Sequence, residues 1–277
     1  MLRALKSIFS DRQFTAGVVL LLVLLFMVVS AQWISPEDPY VYGPDVLAAP
    51  GQDGHILGTN NLGQDILSML IYGVRTSLAV ALVSALISAA IGILVGGVAG
   101  FFGGKIDAVV SEIINIFMMI PTFFLILLVI ALFGSSITNV MICIGLTTWP
   151  SNARLMRAQA LSLRQRTFVN AARAMGESRL QILFKYIIPN GVFPVIANTT
   201  LGMSGAILTE AGLSFLGLGD PSIISWGQMI YSGKSYITTA WWISVFAGMM
   251  IVVTVLTFYL LGDGLNHVLD PRRKGRR

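Results

Sequence analysis

The chain has 277 residues, of which 55% are hydrophobic and 28 are glycine, and its mean hydropathy is +0.80. Charged residues make up 11% of it, compared with about 25% in an ordinary soluble domain, and this excludes a soluble globular enzyme. A single cysteine, Cys143, excludes a disulfide framework and any multi-cysteine metal site.

Long uncharged runs predict the membrane-spanning helices, because a charge at the centre of a bilayer costs about 2.5–3.5 kcal/mol. There are five such runs: 13–36, 76–104, 113–153, 186–209 and 235–262. About 20 residues cross the hydrocarbon core, so the 41-residue third run must turn back once, and Gly134-Ser135-Ser136 supplies turn residues. The runs lack the alternation of barrel strands. We therefore expect an all-α membrane protein with six transmembrane helices, the third kinked by Pro121.

Polar and glycine-rich features divide the chain into three parts. We interpret 35–72 as an extracytoplasmic loop that ends in a short amphipathic helix, 62–72. The next helix carries Gly92, Gly96 and Gly100, a stripe that permits close helix packing, within one subunit rather than across a dimer. The predicted parts are an N-terminal tail, first helix and loop (1–75), a five-helix core (76–268) and a basic tail (269–277).

The distribution of lysine and arginine predicts which side of the membrane each segment faces. With the N-terminus inside, the inside segments carry 16 of the 18 basic residues, leaving Arg75 and Lys234 outside. We therefore expect both termini in the cytoplasm, and the net charge of +5 indicates topology and contact with anionic lipid rather than nucleic acid. A signal peptide cleaved near Val29-Ser30-Ala31 is an alternative for the first span.

The segment 154–185 is too polar to span and too apolar to be a free loop, with seven basic residues and one acidic residue. Gly176 suits the left-handed conformation that ends a helix, and Ser178 with Gln181 forms a capping box that begins another. We predict a cytoplasmic helix–glycine–helix hairpin, 158–186. Its apolar residues at helical spacing are Leu161, Phe168, Ala172, Met175, Leu180, Leu183 and Phe184. The residues alone leave open whether the hairpin lies on anionic lipid or docks on a partner.

A motif in this hairpin resembles the EAA loop of ABC importer permeases. It reads Asn170-Ala171-Ala172-Arg173-Ala174-Met175-Gly176, then nine residues, then Tyr186-Ile187-Ile188-Pro189. Asn170 stands where that loop has Glu, Tyr186 where it has Ile, and Ile188 where it has Leu. Further motifs at 55–65, 72–78, 214–219, 225–227 and 261–265 extend the resemblance to the second permease subunit of the dipeptide, oligopeptide and nickel importers, over about residues 10 to 272.

The resemblance implies the MetI-like permease fold, in the plasma (inner) membrane of a prokaryote. It also implies a heterodimer with a homologous permease, two cytoplasmic ATPase subunits and an extracytoplasmic solute-binding protein. Peptides are the implied substrate, with nickel or a metal chelate as the alternative. The coupling residues implied for ATPase docking are Asn170, Ala171, Ala172, Arg173, Gly176, Glu177 and Pro189.

Sequence motifs for catalysis are missing. Gly233-Lys234-Ser235 and Gly104-Lys105 do not have the spacing of a phosphate-binding loop, so we expect ATP and Mg²⁺ on the ATPase subunits and no cofactor, catalytic residue or metal on this chain. Glu210 and Ser214 form a candidate outer gate, with a structural hydrogen bond as the alternative role of Glu210. A channel or ion-gradient transporter is the alternative class of protein, and the lack of inverted repeats weakens it.

Overall fold

The computed structural model describes residues 11–269, where the chain forms helices joined by loops and one isolated antiparallel bridge, between Thr59 and Asp65. The α-helices in chain order are α1 Arg12–Ile34, α2 Ile66–Phe102, α3 Gly104–Met119, α4 Thr122–Phe133, α5 Ile137–Leu163, α6 Thr167–Ala174, α7 Arg179–Ile182, α8 Ile188–Gly191, α9 Phe193–Phe215, α10 Trp226–Gly233 and α11 Trp242–Leu269. A π-helical turn, Leu183–Ile187, joins α7 to α8, and a 3₁₀ turn, Lys234–Tyr236, follows α10. The basic residues of 1–10 and 270–277, which contribute to the predicted orientation, lie outside the described residues.

Three helices, α1, α2 and α11, are long and apolar enough to cross a membrane alone. Two bent helix pairs raise the number to five if each pair is one span: α3 with α4, bent by 81°, and 179–191 with α9, bent by 57°. The remaining helix of the six predicted spans is α5, which packs along α2. Its polar residues, including Asn152 and Arg154, make it less apolar than the others.

The long third run folds as predicted, with a kink and a turn. The helix breaks between Met119 and Thr122, because Pro121 has no backbone N–H to continue the hydrogen-bond ladder. The turn follows Phe133, where Gly134 takes a φ of 91° that a residue with a side chain rarely adopts. Both sequence predictions are confirmed.

The glycine stripe of α2 packs against α5 of the same chain, as predicted. A Cβ atom on Gly92 would lie 2.9 Å from the backbone nitrogen of Ala153, and one on Gly96 would overlap the Ala153 carbonyl oxygen. A Cβ on Gly100 would overlap the carbonyl oxygen of Arg157. The missing side chains therefore allow the two helix backbones to touch.

The prediction of a separate short amphipathic helix at 62–72 is wrong. α2 begins at Ile66 and continues unbroken to Phe102, so the end of the loop and the second span are one helix of 37 residues. Asp65 caps it by accepting a hydrogen bond from the Ser68 backbone N–H at 2.8 Å. No proline interrupts the segment, so nothing separates the amphipathic turns from the apolar ones.

The largest buried cluster joins α1, α2, α10 and α11 around Trp226, which is fully buried. The Trp226 indole N–H donates to the Leu70 carbonyl oxygen at 3.1 Å, and the Trp242 indole N–H donates to Thr59 at 3.0 Å. A second cluster, around Met156 and Leu183, holds the hairpin against the ends of α2 and α5. The hairpin is therefore supported by the helices that form the membrane core.

Candidate functional site

The predicted hairpin is formed by α6, a turn at Gly176, and α7 with its π-helical extension. Gly176 has a φ of 82°, its N–H donates to Arg173 at 3.1 Å, and the Glu177 N–H donates to Ala172 at 3.2 Å. These two bonds form a Schellman motif, which satisfies carbonyl groups at the end of α6. The predicted left-handed glycine is confirmed.

The predicted capping box at the start of α7 is also present. The Ser178 N–H donates to the Gln181 side-chain oxygen at 2.9 Å, and the Gln181 N–H donates to the Ser178 hydroxyl at 3.3 Å. The two halves of the hairpin are thus closed by consecutive local motifs, so its tip has a defined shape.

Packing of the hairpin buries only part of the apolar face that helical spacing indicated, because Ala172 and Leu183 of that face are buried. The residues fully buried against α2 and α5 are Val169, Ala172, Ile182, Leu183 and Ile187. Four residues of the predicted face are exposed instead: Phe168, Met175, Leu180 and Phe184. Helical spacing alone fits more than one apolar face, and contact with neighbouring helices decides which residues are buried. An exposed apolar surface of this kind is typical of a protein or membrane contact.

Glu177, at the tip of the hairpin, is held by two side chains. Its Oε1 atom accepts hydrogen bonds from the Tyr186 hydroxyl at 2.8 Å and from the Lys185 ammonium at 3.0 Å. The bond from Tyr186, followed by that from Lys185, lowers the pKa of this carboxyl group below its ordinary value. Tyr186, which departs from the family motif, therefore has a specific partner. The Oε2 atom of Glu177 has no donor among residues 11–269.

A basic cavity of about 760 Å³ lies between the hairpin and the ends of α2 and α5. Three of its lining residues are Arg164, Arg173 and Arg179, and the lining also contains Asn170 and Glu177. Arg173 donates to the Asn170 side-chain oxygen at 3.3 Å. None of the three arginines has a carboxylate oxygen within 4.0 Å in the described part of the chain. The cavity therefore presents unpaired positive charge towards the exposed side of the hairpin.

The other predicted coupling residues do not line this cavity. Ala171 is exposed on α6, whereas Ala172 is fully buried under it and permits close packing. Pro189 is exposed in α8, beyond the π-helical turn. The structure thus brings together Asn170, Arg173 and Glu177, buries Ala172 in the packing of the hairpin, and leaves Ala171 and Pro189 exposed.

Glu210 and Ser214, the candidate outer gate, are both buried, at 2% and 0% exposure. The Oε1 atom of Glu210 accepts hydrogen bonds from the hydroxyl groups of Ser214 and Ser225, each at 2.8 Å. Ser225 is the N-cap residue of α10. This geometry favours the structural role that was the alternative for Glu210, because its carboxyl group links α9 to the start of α10.

A buried ionic cluster around His55, in the loop before α2, was missed by the sequence analysis. His55 is 6% exposed, and its Nδ1 atom lies 3.0 Å from Asp65. Glu37 and Asp45 lie 3.9 and 3.8 Å from its ring nitrogens. Burial disfavours the imidazolium, but the bond to Asp65 and the two other carboxylates outweigh it and raise the pKa of His55. The sequence carries one signal of this cluster, which is the excess of acidic residues around a single histidine in the loop.

A second missed contact joins the two ends of the described chain. His267, near the end of α11, lies 3.4 Å from Asp11, the N-cap residue of α1, and 3.6 Å from Asp263. The start of the first span and the end of the last span therefore lie side by side. Within residues 11–269, no group of three or more His, Cys, Asp or Glu residues is arranged to hold a metal ion.

The apolar helices, their bends and the packed hairpin are those of a helical membrane protein, and the comparisons identify its class. Residues 92–275 match the family described as "Binding-protein-dependent transport system inner membrane component", and the chain belongs to that family. Its fold resembles that of a solved chain of the MetNI methionine ABC transporter in inward-facing conformations, with a TM-score of 0.60. That match has 23% sequence identity and covers 74% of this chain and 98% of the other.

Individual relatives are similar along nearly the whole chain. The dipeptide transport system permease protein DppC of Escherichia coli (strain K12) is 40% identical over 265 residues. The di/tripeptide transport system permease protein DppC of Pseudomonas aeruginosa (strain UCBPP-PA14) is 37% identical over 265 residues. Each match covers 93% of this chain and 88% of the relative. This chain is therefore an inner-membrane transport permease of the ABC importer type.

Proposed function

We propose that this chain forms half of the translocation pathway of an ATP-driven importer for short peptides. The observation that carries the proposal is its 37–40% identity, along 93% of its length, to permeases named for dipeptide and tripeptide transport. A homologous permease supplies the other half of the pathway, and an extracytoplasmic solute-binding protein delivers the peptide.

ATP and Mg²⁺ are bound by two separate ATPase subunits rather than by this chain. Lys234, the lysine of the glycine–lysine–serine sequence, makes cation–π contacts with two aromatic rings. Its ammonium group lies 4.0 Å from the Tyr231 ring centroid and 5.5 Å from that of Phe215. Such a position supports an aromatic contact and not a phosphate-binding loop, in which backbone N–H groups surround the phosphates.

The hairpin is the element that docks on an ATPase subunit. Its tip combines exposed apolar side chains with the unpaired guanidinium groups of the basic cavity, and its buried face packs directly on α2 and α5. A partner surface that is apolar with acidic residues is complementary to it. Movement of the ATPase subunit is then transmitted to the membrane helices through packed side chains.

The orientation of the hairpin follows from the charge distribution. The segment that contains it carries seven basic residues and therefore faces the cytoplasm. The contact between His267 and Asp11 supports a position of the start of α1 and the end of α11 on the same side of the membrane. If that side is the one that the hairpin faces, both termini are cytoplasmic.

The variant Gly176→Val tests the docking role. A side chain at this position meets open space, so the substitution changes the backbone preference without a clash. A φ of 82° costs valine about 1–2 kcal/mol relative to glycine, because its Cβ approaches the backbone carbonyl oxygen, and the substitution should displace the tip. We expect roughly tenfold lower peptide uptake for each ATP hydrolysed in proteoliposomes that contain the complete complex.

Gly176→Asn is the matched control, because asparagine tolerates the left-handed conformation. It should retain most of the coupling between hydrolysis and uptake. Normal coupled uptake by Gly176→Val, with the variant inserted at the normal level, would contradict the docking role.

A further inference from the structure

A polar cavity of about 370 Å³ lies within the helices of the membrane core, apart from the hairpin. It is bounded by residues of α2, α4, α5 and α9. Nine of its fifteen lining residues are Ser, Thr or Asn, whereas the helices around it are strongly apolar. Polar groups in a membrane span are unfavourable unless they face a cavity or a partner, so this concentration indicates a solvated pathway.

An amide network organises one wall of the cavity. The buried Asn152 donates to the Ser88 hydroxyl at 3.0 Å, and its Oδ1 accepts from the Asn198 amide at 2.9 Å and the Thr199 hydroxyl at 3.3 Å. The Asn198 amide also lies 3.3 Å from the Ser151 hydroxyl. Asn152 is therefore held in place by three helices, while the half-buried Asn198 lies at the edge of the open space.

Further along α9, the wall of the cavity is formed by two glycines. A Cβ atom on Gly202 or Gly205 would meet nothing within 4 Å, unlike one on Gly92, Gly96 or Gly100 of α2, which have α5 directly against them. These two glycines do not serve packing within the chain. They keep the cavity wide at the level of Thr209, which lies one turn further along α9.

The chemistry of the lining limits what can be bound. Within the described chain, none of the fifteen lining residues carries a carboxylate, imidazole, thiol, ammonium or guanidinium group. Metal ions such as Ni²⁺ are bound mainly by imidazole, carboxylate and thiolate groups, so the lining does not suit a bare metal cation. Neutral amides and hydroxyls suit a solute whose own hydrogen-bonding groups are amides.

We propose that the cavity lined by Asn198, Gly205 and Thr209 is an uncharged subsite that holds a short peptide by its backbone amide during transport. The proposal rests on the proposed function and specifies its substrate class. Because the subsite makes no ion pair with the peptide, it accepts side chains of either charge.

The first experiment fills the cavity. Gly205→Leu places a bulky side chain in the open space, and Gly248→Leu on α11, where a Cβ also meets nothing within 4 Å, is the matched control. The complete complex with its ATPase subunits and binding protein is reconstituted in liposomes with radiolabelled dialanine. We expect Gly205→Leu to lower uptake by about tenfold or more, while the complex co-purifies and its binding-protein-stimulated ATP hydrolysis persists. Uptake by Gly248→Leu should stay within about twofold of the unmodified protein.

The second experiment adds charge to the same wall. Thr209→Asp is compared with the neutral Thr209→Asn for uptake of a lysine-containing and a glutamate-containing dipeptide. A carboxylate in the wall of the subsite attracts the lysine side chain and repels the glutamate side chain, so the ratio of lysine-peptide to glutamate-peptide uptake should rise by about tenfold relative to Thr209→Asn. An unchanged ratio would show that the peptide does not pass this wall and would overturn the proposal.

Two further outcomes also overturn it. If Gly205→Leu prevents assembly with the second permease, the open face is a subunit contact; if it leaves uptake unchanged, the cavity is not on the pathway. Failure of the proposed function is recognised separately, because the unmodified complex would then take up no peptide at all.

Discussion

At the scale of single residues, the surroundings of a carboxyl group determine its role. Glu177 is exposed to the cavity of the hairpin and paired with Tyr186 and Lys185, whereas Glu210 is buried between two serine hydroxyls. Asp65 combines two roles, since one oxygen caps α2 and the other contacts His55. The same functional group therefore stabilises the turn of the hairpin, links two helices and stabilises a loop in this chain.

The His55 cluster predicts a pH dependence of stability. Because the pKa of His55 is raised in the folded protein, its contribution is complete below the ordinary imidazole value of about 6.5 and is lost as the pH rises through the folded value. We expect the melting temperature of the purified protein in detergent to fall as the pH rises above about 6.5 and through the raised pKa of His55, with about 1 kcal/mol of stability lost.

His55→Gln should remove most of this pH dependence, since glutamine cannot acquire a proton. Asp53→Asn is the control: it changes the charge of an exposed loop residue, and asparagine tolerates the φ of 51° found there. The interpretation is wrong if His55→Gln melts with the same dependence on pH as the unmodified protein.

At the scale of helices, the contact between α2 and α5 depends on the absence of side chains along one stripe. The neighbouring glycines Gly96 and Gly97 differ sharply in this respect, as expected because only Gly96 belongs to the stripe of Gly92, Gly96 and Gly100. A Cβ on Gly96 would overlap the Ala153 carbonyl, whereas one on Gly97 would make ordinary contact with Ile188 at 3.6 Å. The face of the helix, and not the residue type, sets the tolerance of each position.

This difference gives a matched pair of variants. Gly96→Ala should destabilise the protein by about 1–3 kcal/mol, because the helices must separate to admit the methyl group. Gly97→Ala should be neutral or slightly stabilising, since alanine favours the helix. Equal thermal unfolding of the two variants in detergent would argue against the close contact.

At the scale of the whole molecule, the loop with His55 and the hairpin lie at opposite ends of α2. The loop with His55 packs over the start of α2 through Trp242, and the hairpin packs under the far end of α2 through the cluster around Met156. The long α2 therefore connects the two surfaces that the proposed function assigns to delivery of the solute and to coupling with ATP hydrolysis.

Sided labelling tests this arrangement. In a variant whose Cys143 is replaced by alanine, Ile56→Cys and Met175→Cys each provide one exposed thiol, since these positions are 63% and 72% exposed. A membrane-impermeant maleimide should label Ile56→Cys in intact cells and Met175→Cys only after the membrane is opened. Labelling of Met175→Cys in intact cells would place the hairpin outside and contradict the coupling role.

The sequence by itself determined the features that depend on local chemistry. Uncharged runs marked the apolar helices, Pro121 and Gly134 marked the break and the turn, and Gly176 with Ser178 marked the tip of the hairpin. Each of these follows from a backbone preference or from the exclusion of charge from lipid, which act within a few residues.

Only the tertiary structure decided which face of each element is covered. It buried Val169 in place of Phe168, paired His55 with Asp65, and left Gly205 open while α5 covered Gly96. These outcomes depend on the rotation of each helix and on contacts between residues far apart in the chain. A periodic sequence fits several rotations, and the packing of neighbouring helices selects one of them.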